Sequence, residues 1–121
     1  MSISPSEKIK VSIEGNIATI VIDNPGANTW DRESLPALRQ VIETLNQEPT
    51  VYALVLTGAG QKFFSAGADL NQFASGDADV ARAVGEAFGE AFETLADFRG
   101  VSIAAINGFA MGGGLEVALA C

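Results

Sequence analysis

The sequence contains no histidine, one cysteine, one tryptophan and four prolines among its 121 residues. Without histidine the chain holds no Ser-His-Asp or Cys-His catalytic set, and the commonest zinc ligand is missing, so no metal site is expected. The single thiol, Cys121, has no partner for an internal disulfide. A reducing compartment, the cytoplasm, is the expected location. Basic residues are scarce too: seven Lys and Arg stand against fifteen Asp and Glu, a net charge of −8. That sign disfavours nucleic acid and anionic membranes as partners, although a local basic spot for a phosphorylated ligand stays open. Long apolar runs are also absent. No stretch approaches the roughly 20 apolar residues of a membrane span, and residues 1–10 are polar, unlike a secretory leader.

What is present reads as one folded domain. Hydrophobic residues make up 48% and charged residues 18%, a balance that excludes disorder. Residues 8–14 alternate, with Ile9, Val11 and Ile13 on one side and Lys10, Ser12 and Glu14 on the other. Gly15-Asn16 interrupts, residues 17–22 resume with Ile, Thr and Val, and the pattern predicts a hairpin. From Asp31 the period changes: Leu35, Leu38, Val41, Ile42 and Leu45 mark an amphipathic helix to about Gln47. Asp31 or Ser34 would cap it, and Pro36 fits only its first turn. Residues 51–57 (VYALVLT) predict a strand covered on both faces. Residues 58–69 read as a Gly-rich loop and 77–98 as a second helix, with Val80, Val84, Phe88, Phe92 and Leu95 on its apolar stripe. Its other side (Asp79, Glu86, Glu90, Glu93, Asp97) reads as a solvated face. Residues 101–106 (VSIAAI) predict another buried strand, and the triplet from Gly112 to Gly114 opens a last helix. The class is therefore α/β, with no repeat in the sequence. Residues 115–121 (LEVALAC) end without Gly, Asn, Pro or a charged last turn, so the chain is expected to stop inside an element.

Two Gly-rich segments carry the candidate chemistry, each after a strand and before a helix: residues 63–69 (FFSAGAD) and 108–116 (GFAMGGGLE). Ligands of α/β folds gather at the carboxyl ends of strands. Small residues there admit a ligand close to the backbone, and two N–H groups aimed at one carbonyl oxygen form an oxyanion hole. The bland alternative is close packing or a turn. Glu116 stands just past the triplet with only apolar residues after it. Two readings stand for it: a desolvated acid-base carboxylate with a raised pKa, or a first-turn Glu favoured by the helix dipole.

The strings VYALVLTGAG, KFFSAGADL and VSIAAINGFAMGGGLEVALAC, with IATIVIDNP before them, closely resemble the enoyl-CoA hydratase (crotonase) family in order and spacing. The resemblance implies a crotonase-like ββα spiral in truncated form, with residues 1–121 as the N-terminal part of a single domain. It implies an acyl-CoA thioester as substrate, held by the N–H groups of Ala68 and Gly113, with Ala66, Asp69 and Leu70 also lining the thioester and adenine region. Lys62 is the candidate for a CoA phosphate contact, against the alternative of an ordinary solvated lysine. Glu116 falls on the first of two glutamates that activate water in family hydratases, and the second lies beyond Cys121. The implied reaction adds water to a trans-2-enoyl-CoA to give a 3-hydroxyacyl-CoA, with no cofactor besides the CoA of the substrate. Isomerase, decarboxylase and hydrolase chemistry, or a non-catalytic binding relative, are the alternatives. Trimers or hexamers are implied, and the surfaces at 101–106 and 115–121 are expected to be exposed or covered by another chain.

Overall fold

In the computed structural model, which describes residues 3–72 and 76–121, the chain runs through successive strand-strand-helix turns. The first is β1 (Ile9–Glu14), β2 (Ile17–Ile22) and α1 (Ser34–Asn46). The second is β3 (Ala53–Gly58), β4 (Phe63–Ser65) and α2 (Ala78–Ala96), and the third is β5 (Val101–Ala104), β6 (Phe109–Ala110) and α3 (Gly113–Ala120). The expected α/β class holds. A structural repeat exists without a sequence repeat.

The main sheet has the order β1-β2-β3-β5, and β4 and β6 form a second, two-stranded sheet. The hairpin is antiparallel, with Ile9 opposite Ile22 and Glu14 opposite Ile17. Its turn uses Gly15 at φ +60°, a conformation glycine adopts freely. β2–β3 and β3–β5 are parallel pairs, so each needs a crossover, and α1 and α2 lie in those connections. Ile9, Ala18, Ile20, Ile22, Leu54 and Leu56 meet Leu35, Leu38, Val41, Ile42 and Leu45 of α1 in one core. Each Ile, Leu or Val side chain among them stabilises the fold by about 1.5–3 kcal/mol when fully buried.

The opposite face of the sheet corrects the expectation of strands covered on both faces. In β3 only Leu54, Leu56 and Gly58 are buried, and Ala53, Val55 and Thr57 are half-buried. In β5, Val101 and Ile103 are 59% and 48% exposed. No described element covers that face, and β5 is the last strand at the sheet edge. Ile106, Leu115 and Leu119 are exposed as well, as expected for 101–106 and 115–121, but Val117 lies in the core. The Gly-rich loops also hide two strands, β4 and β6, that the sequence reading placed in loop.

α1 is tied at both ends. Asp31 Oδ1 accepts from the N–H groups of Ser34 (2.7 Å) and Glu33 (2.9 Å), while Ser34 Oγ accepts from the Asp31 N–H (2.9 Å). Its Oδ2 accepts from Lys8 Nζ (2.7 Å) and Asn24 Nδ2 (3.1 Å). At the far end the Arg99 guanidinium donates to the carbonyls of Leu45, Asn46 and Glu48, groups a helix terminus leaves unpaired.

Burial pushes the Asp31 carboxyl up, but the Lys8 ammonium and the N–H groups of Ser34 and Glu33 outweigh it and hold it below its ordinary value of 3.8. Lys8 is held above its ordinary value, chiefly by its hydrogen bond to Asp31. A depressed carboxyl contributes stability that is present above its unfolded pKa and lost as the pH falls through the folded one. Asp31→Ala should therefore cost about 2 kcal/mol at neutral pH. Urea unfolding at pH 7 and again well below 3.8 checks this: the variant and the parent should differ clearly at the first pH and much less at the second.

Candidate active site

Two main-chain segments leave the β4–β6 sheet and press against each other. The first, residues 66–70, turns at Gly67 (φ +98°); the second, residues 111–116, turns at Gly112 (φ +53°) and starts α3. Their contact is backbone on backbone. A Cβ on Gly67 would lie 2.9 Å from the Met111 carbonyl oxygen and 3.1 Å from the Gly113 nitrogen. A Cβ on Gly114 would lie 2.0 Å from the Ser65 carbonyl oxygen, so no larger residue fits. The Met111 N–H donates to that same Ser65 carbonyl (3.0 Å).

Trp30 holds the first segment from the other side. Its N–H donates to the Gly67 carbonyl (2.7 Å), and the Asp69 N–H donates to its carbonyl (2.9 Å). This is a parallel bridge centred on Ala68. In such a pairing the Ala68 N–H points away from Trp30. Among the described residues no acceptor takes the N–H of Ala68 or of Gly113. Both residues line one cavity of about 670 Å³, together with Phe88, Phe92, Glu93 and Glu116.

Glu116 is thus brought to the two loops, in the first turn of α3. The expected burial of its carboxylate is not met: the residue is exposed. Among the described residues the cavity is walled by α2 and the two loops. Lys62, Ala66, Asp69 and Leu70 are not among the residues that line this cavity. Ala66 spends its N–H on the Ala27 carbonyl (3.0 Å), and the Asp69 carboxylate accepts from the Asn71 N–H (3.0 Å). Leu70 is 79% exposed. Lys62 lines a separate depression with Gln61, Gly108 and Phe109, its ammonium 5.5 Å above the Phe63 ring.

Some contributors were missed in the sequence. Glu93, read as part of a solvated face, borders the cavity, and so do Phe88 and Phe92 from the supposed core stripe. Asn28 and Asn107 both donate to the Phe63 carbonyl, and Asn28 also reaches the Ala59 carbonyl, which fixes the strand ahead of the first loop. Asn28 sits at φ +52°, and an Asn in a turn-rich stretch was the available signal. Among the described residues no group of three or more His, Cys, Asp or Glu is placed to hold a metal ion. No described helix is long and apolar enough to cross a membrane.

Comparison with known proteins places this pair of loops in a family. The sequence profile of enoyl-CoA hydratase/isomerase matches residues 12–121. The chain belongs to that family. A carnitinyl-CoA dehydratase of Salmonella arizonae is 39% identical over 115 residues, covering 95% of this chain and 44% of that protein. A short-chain-enoyl-CoA hydratase of Clostridium acetobutylicum is 37% identical over 109 residues, 89% of this chain and 42% of that one. Among solved structures, Pseudomonas aeruginosa DspI is 65% identical with a TM-score of 0.94, over 96% of this chain and 48% of its own. An enoyl-CoA hydratase from Bacillus anthracis is 32% identical with a TM-score of 0.91, over 95% of this chain and 45% of its own. The architecture is therefore the crotonase fold in truncated form, and the chain spans about half the length of the curated relatives it matches.

The glycines separate two kinds of position. Gly85 and Gly89 lie inside α2 with nothing within 4 Å of an added Cβ. Substituting either by Ala should raise stability by about 0.5–1 kcal/mol, because Ala is the better helix former. Gly114→Ala drives a Cβ into the Ser65 carbonyl and should cost about 3 kcal/mol or more. Gly113→Ala, whose Cβ would lie 3.0 Å from Phe88 Cε1, should fall between. Urea titrations followed by circular dichroism rank the variants.

Proposed function

We propose that this chain binds an acyl-CoA thioester with its carbonyl oxygen between the N–H groups of Ala68 and Gly113, in an enzyme that hydrates trans-2-enoyl-CoA to 3-hydroxyacyl-CoA. The observation that carries the reading is a pair of N–H groups with no acceptor among the described residues, on loops locked together by glycine, in two residues that line one cavity with Glu116. Adding the oxygen of water to C3 of an enoyl thioester pushes an electron pair through C2 onto the thioester oxygen. That oxygen becomes an enolate oxyanion, and each N–H aimed at it contributes about 10²–10³ in rate. Glu116 takes the proton that the water loses, and C2 gains one as the enolate collapses. No electrons change hands, so the reaction needs no redox cofactor, and CoA enters as part of the substrate. Run backwards the same steps are a dehydration, the activity named for the carnitinyl-CoA dehydratase relative.

The second glutamate of family hydratases has no counterpart in residues 1–121, so the site as it stands is half of an acid-base pair. CoA separates its phosphates from its thioester by a long arm, and Lys62 outside the cavity keeps its place as the candidate phosphate contact. A trimer or hexamer and a cytoplasmic location complete the reading. Isomerase, decarboxylase or hydrolase chemistry would use the same two donors with the acid-base groups elsewhere.

A dimethylaminocinnamoyl-CoA thioester tests the binding step, because its absorption moves to longer wavelength when its carbonyl is polarised. The chain should bind it with such a red shift, and Glu116→Gln should preserve both. In a form of the enzyme that carries the second glutamate, Glu116→Gln should lower turnover of crotonyl-CoA by about 10²–10⁴. Binding without a red shift, or near-normal turnover in the Gln enzyme, would overturn the assignment.

A further inference from the structure

Trp30 is the sole tryptophan of the chain and is fully buried. Among the described residues its indole Nε1 is the one buried side-chain polar atom without a hydrogen-bond partner. An unpaired buried donor is unfavourable, and an apolar ring would avoid it. Such an atom in a native fold asks for a reason.

The ring packs against both α2 and the glycine run. It packs edge-on against Phe92 (centroids 5.9 Å apart, planes at 70°), and Phe92 packs in the same manner on Phe88 (5.5 Å, 77°). Its Cδ1 edge reaches Gly113, where a Cβ would lie 3.4 Å from it. Gly112, Gly113 and Gly114 are three glycines in a row, the stretch of backbone least able to hold its own conformation. Gly114 is held by the Ser65 carbonyl, while Gly113 is backed by the edges of Trp30 and Phe88. The main chain of the same Trp30 brackets Ala68. One residue therefore touches both donor segments, the first by hydrogen bonds and the second by its ring.

We propose that Trp30 is a positioning residue that sets the spacing and direction of the Ala68 and Gly113 N–H groups. The proposal rests on those two groups being the thioester-binding pair. Two donors act on one oxygen only if both come within about 2.7–3.1 Å of it. A small drift of the glycine run would leave the first donor in place and lose the second.

The test compares Trp30→Leu and Trp30→Phe with the parent chain, using dimethylaminocinnamoyl-CoA in calorimetry and absorbance, with thermal unfolding alongside. Phe places its own Cδ1 on the same Cγ and removes the unpaired N–H. It should keep the red shift and unfold at a temperature no lower than the parent. Leu fills volume without a flat edge. Its affinity should change by less than about fivefold, since most binding comes from the rest of CoA, while the red shift falls by more than half. Should the Leu variant not fold, Trp30→Met, which also lacks a flat edge, takes its place in the comparison. A parent chain that binds without a red shift overturns the thioester reading itself. A parent red shift that persists in full in the Leu or Met variant, or is lost equally in folded Phe and Leu variants, overturns the positioning role alone.

Discussion

The contact between the Gly114 Cα and the Ser65 carbonyl governs the rest of this molecule. A Cβ at Gly114 would lie 2.0 Å from that oxygen, inside any tolerable separation. The two loops can therefore close only with glycine at that point, and closing them brings Gly67 against Gly113. Where side chains are absent, the groups left to face a ligand are peptide N–H groups. The packing constraint and the candidate chemistry are in this sense the same feature. Glycine permits the approach, and the approach brings Ala68 and Gly113 to one cavity, with no acceptor for their N–H groups among the described residues.

The surrounding structure stiffens what glycine leaves loose. Asn28 and Asn107 converge on the Phe63 carbonyl and hold the strand that leads into the first loop. Trp30 enters from the segment just ahead of α1, and Asp31, the next residue, is the anchor of that helix. The N-terminal anchor of α1, the bridge to Ala68 and the ring behind Gly113 thus fall on adjacent residues. α2 differs. Only Ala91 and Leu95 of its residues are buried, and it contributes Gly85 and Gly89 to the cavity wall. Few buried apolar contacts and two helix-interior glycines place it at the low end of local stability.

Much of this was legible in the sequence where periodicity carried the information. The alternation of residues 8–14, the Gly15-Asn16 break and the β-rich run after it located the hairpin, with β1 and β2 at Ile9–Glu14 and Ile17–Ile22; β2 has one buried face, whereas in β1 only Ile9 is buried. Spacing by three and four residues located α1, and side-chain chemistry offered Asp31 or Ser34 at its start, where the two bond to each other. β4 and β6 escaped because strands of three and two residues are too short for a period to show. The apolar run in β3 suggested cover on both faces, yet an apolar run records only what a strand can bury. Glu116 illustrates the same limit. Its apolar neighbours in sequence implied burial, whereas on a helix the residues beside it point to other sides of the axis. Glu93 was hidden for the opposite reason: four charged neighbours on its face made it look like part of a solvated surface. Trp30 carried no periodic signal at all, and its role depends on contacts with residues near 68, 92 and 113 that only the folded chain brings together.

A chain with no histidine and a charge of −8 carries its candidate oxyanion donors in the main chain. Backbone N–H groups do not titrate, so the stabilisation they offer an oxyanion does not vary with pH. They carry no net charge, so no compensating basic residue has to be buried in an acidic protein. Two carboxylate residues, Glu116 and Glu93, border the same cavity. On the proposed reading, charge stabilisation sits in the main chain and proton transfer in side chains, so a carboxylate can be replaced without disturbing the glycine contact on which the donor pair depends.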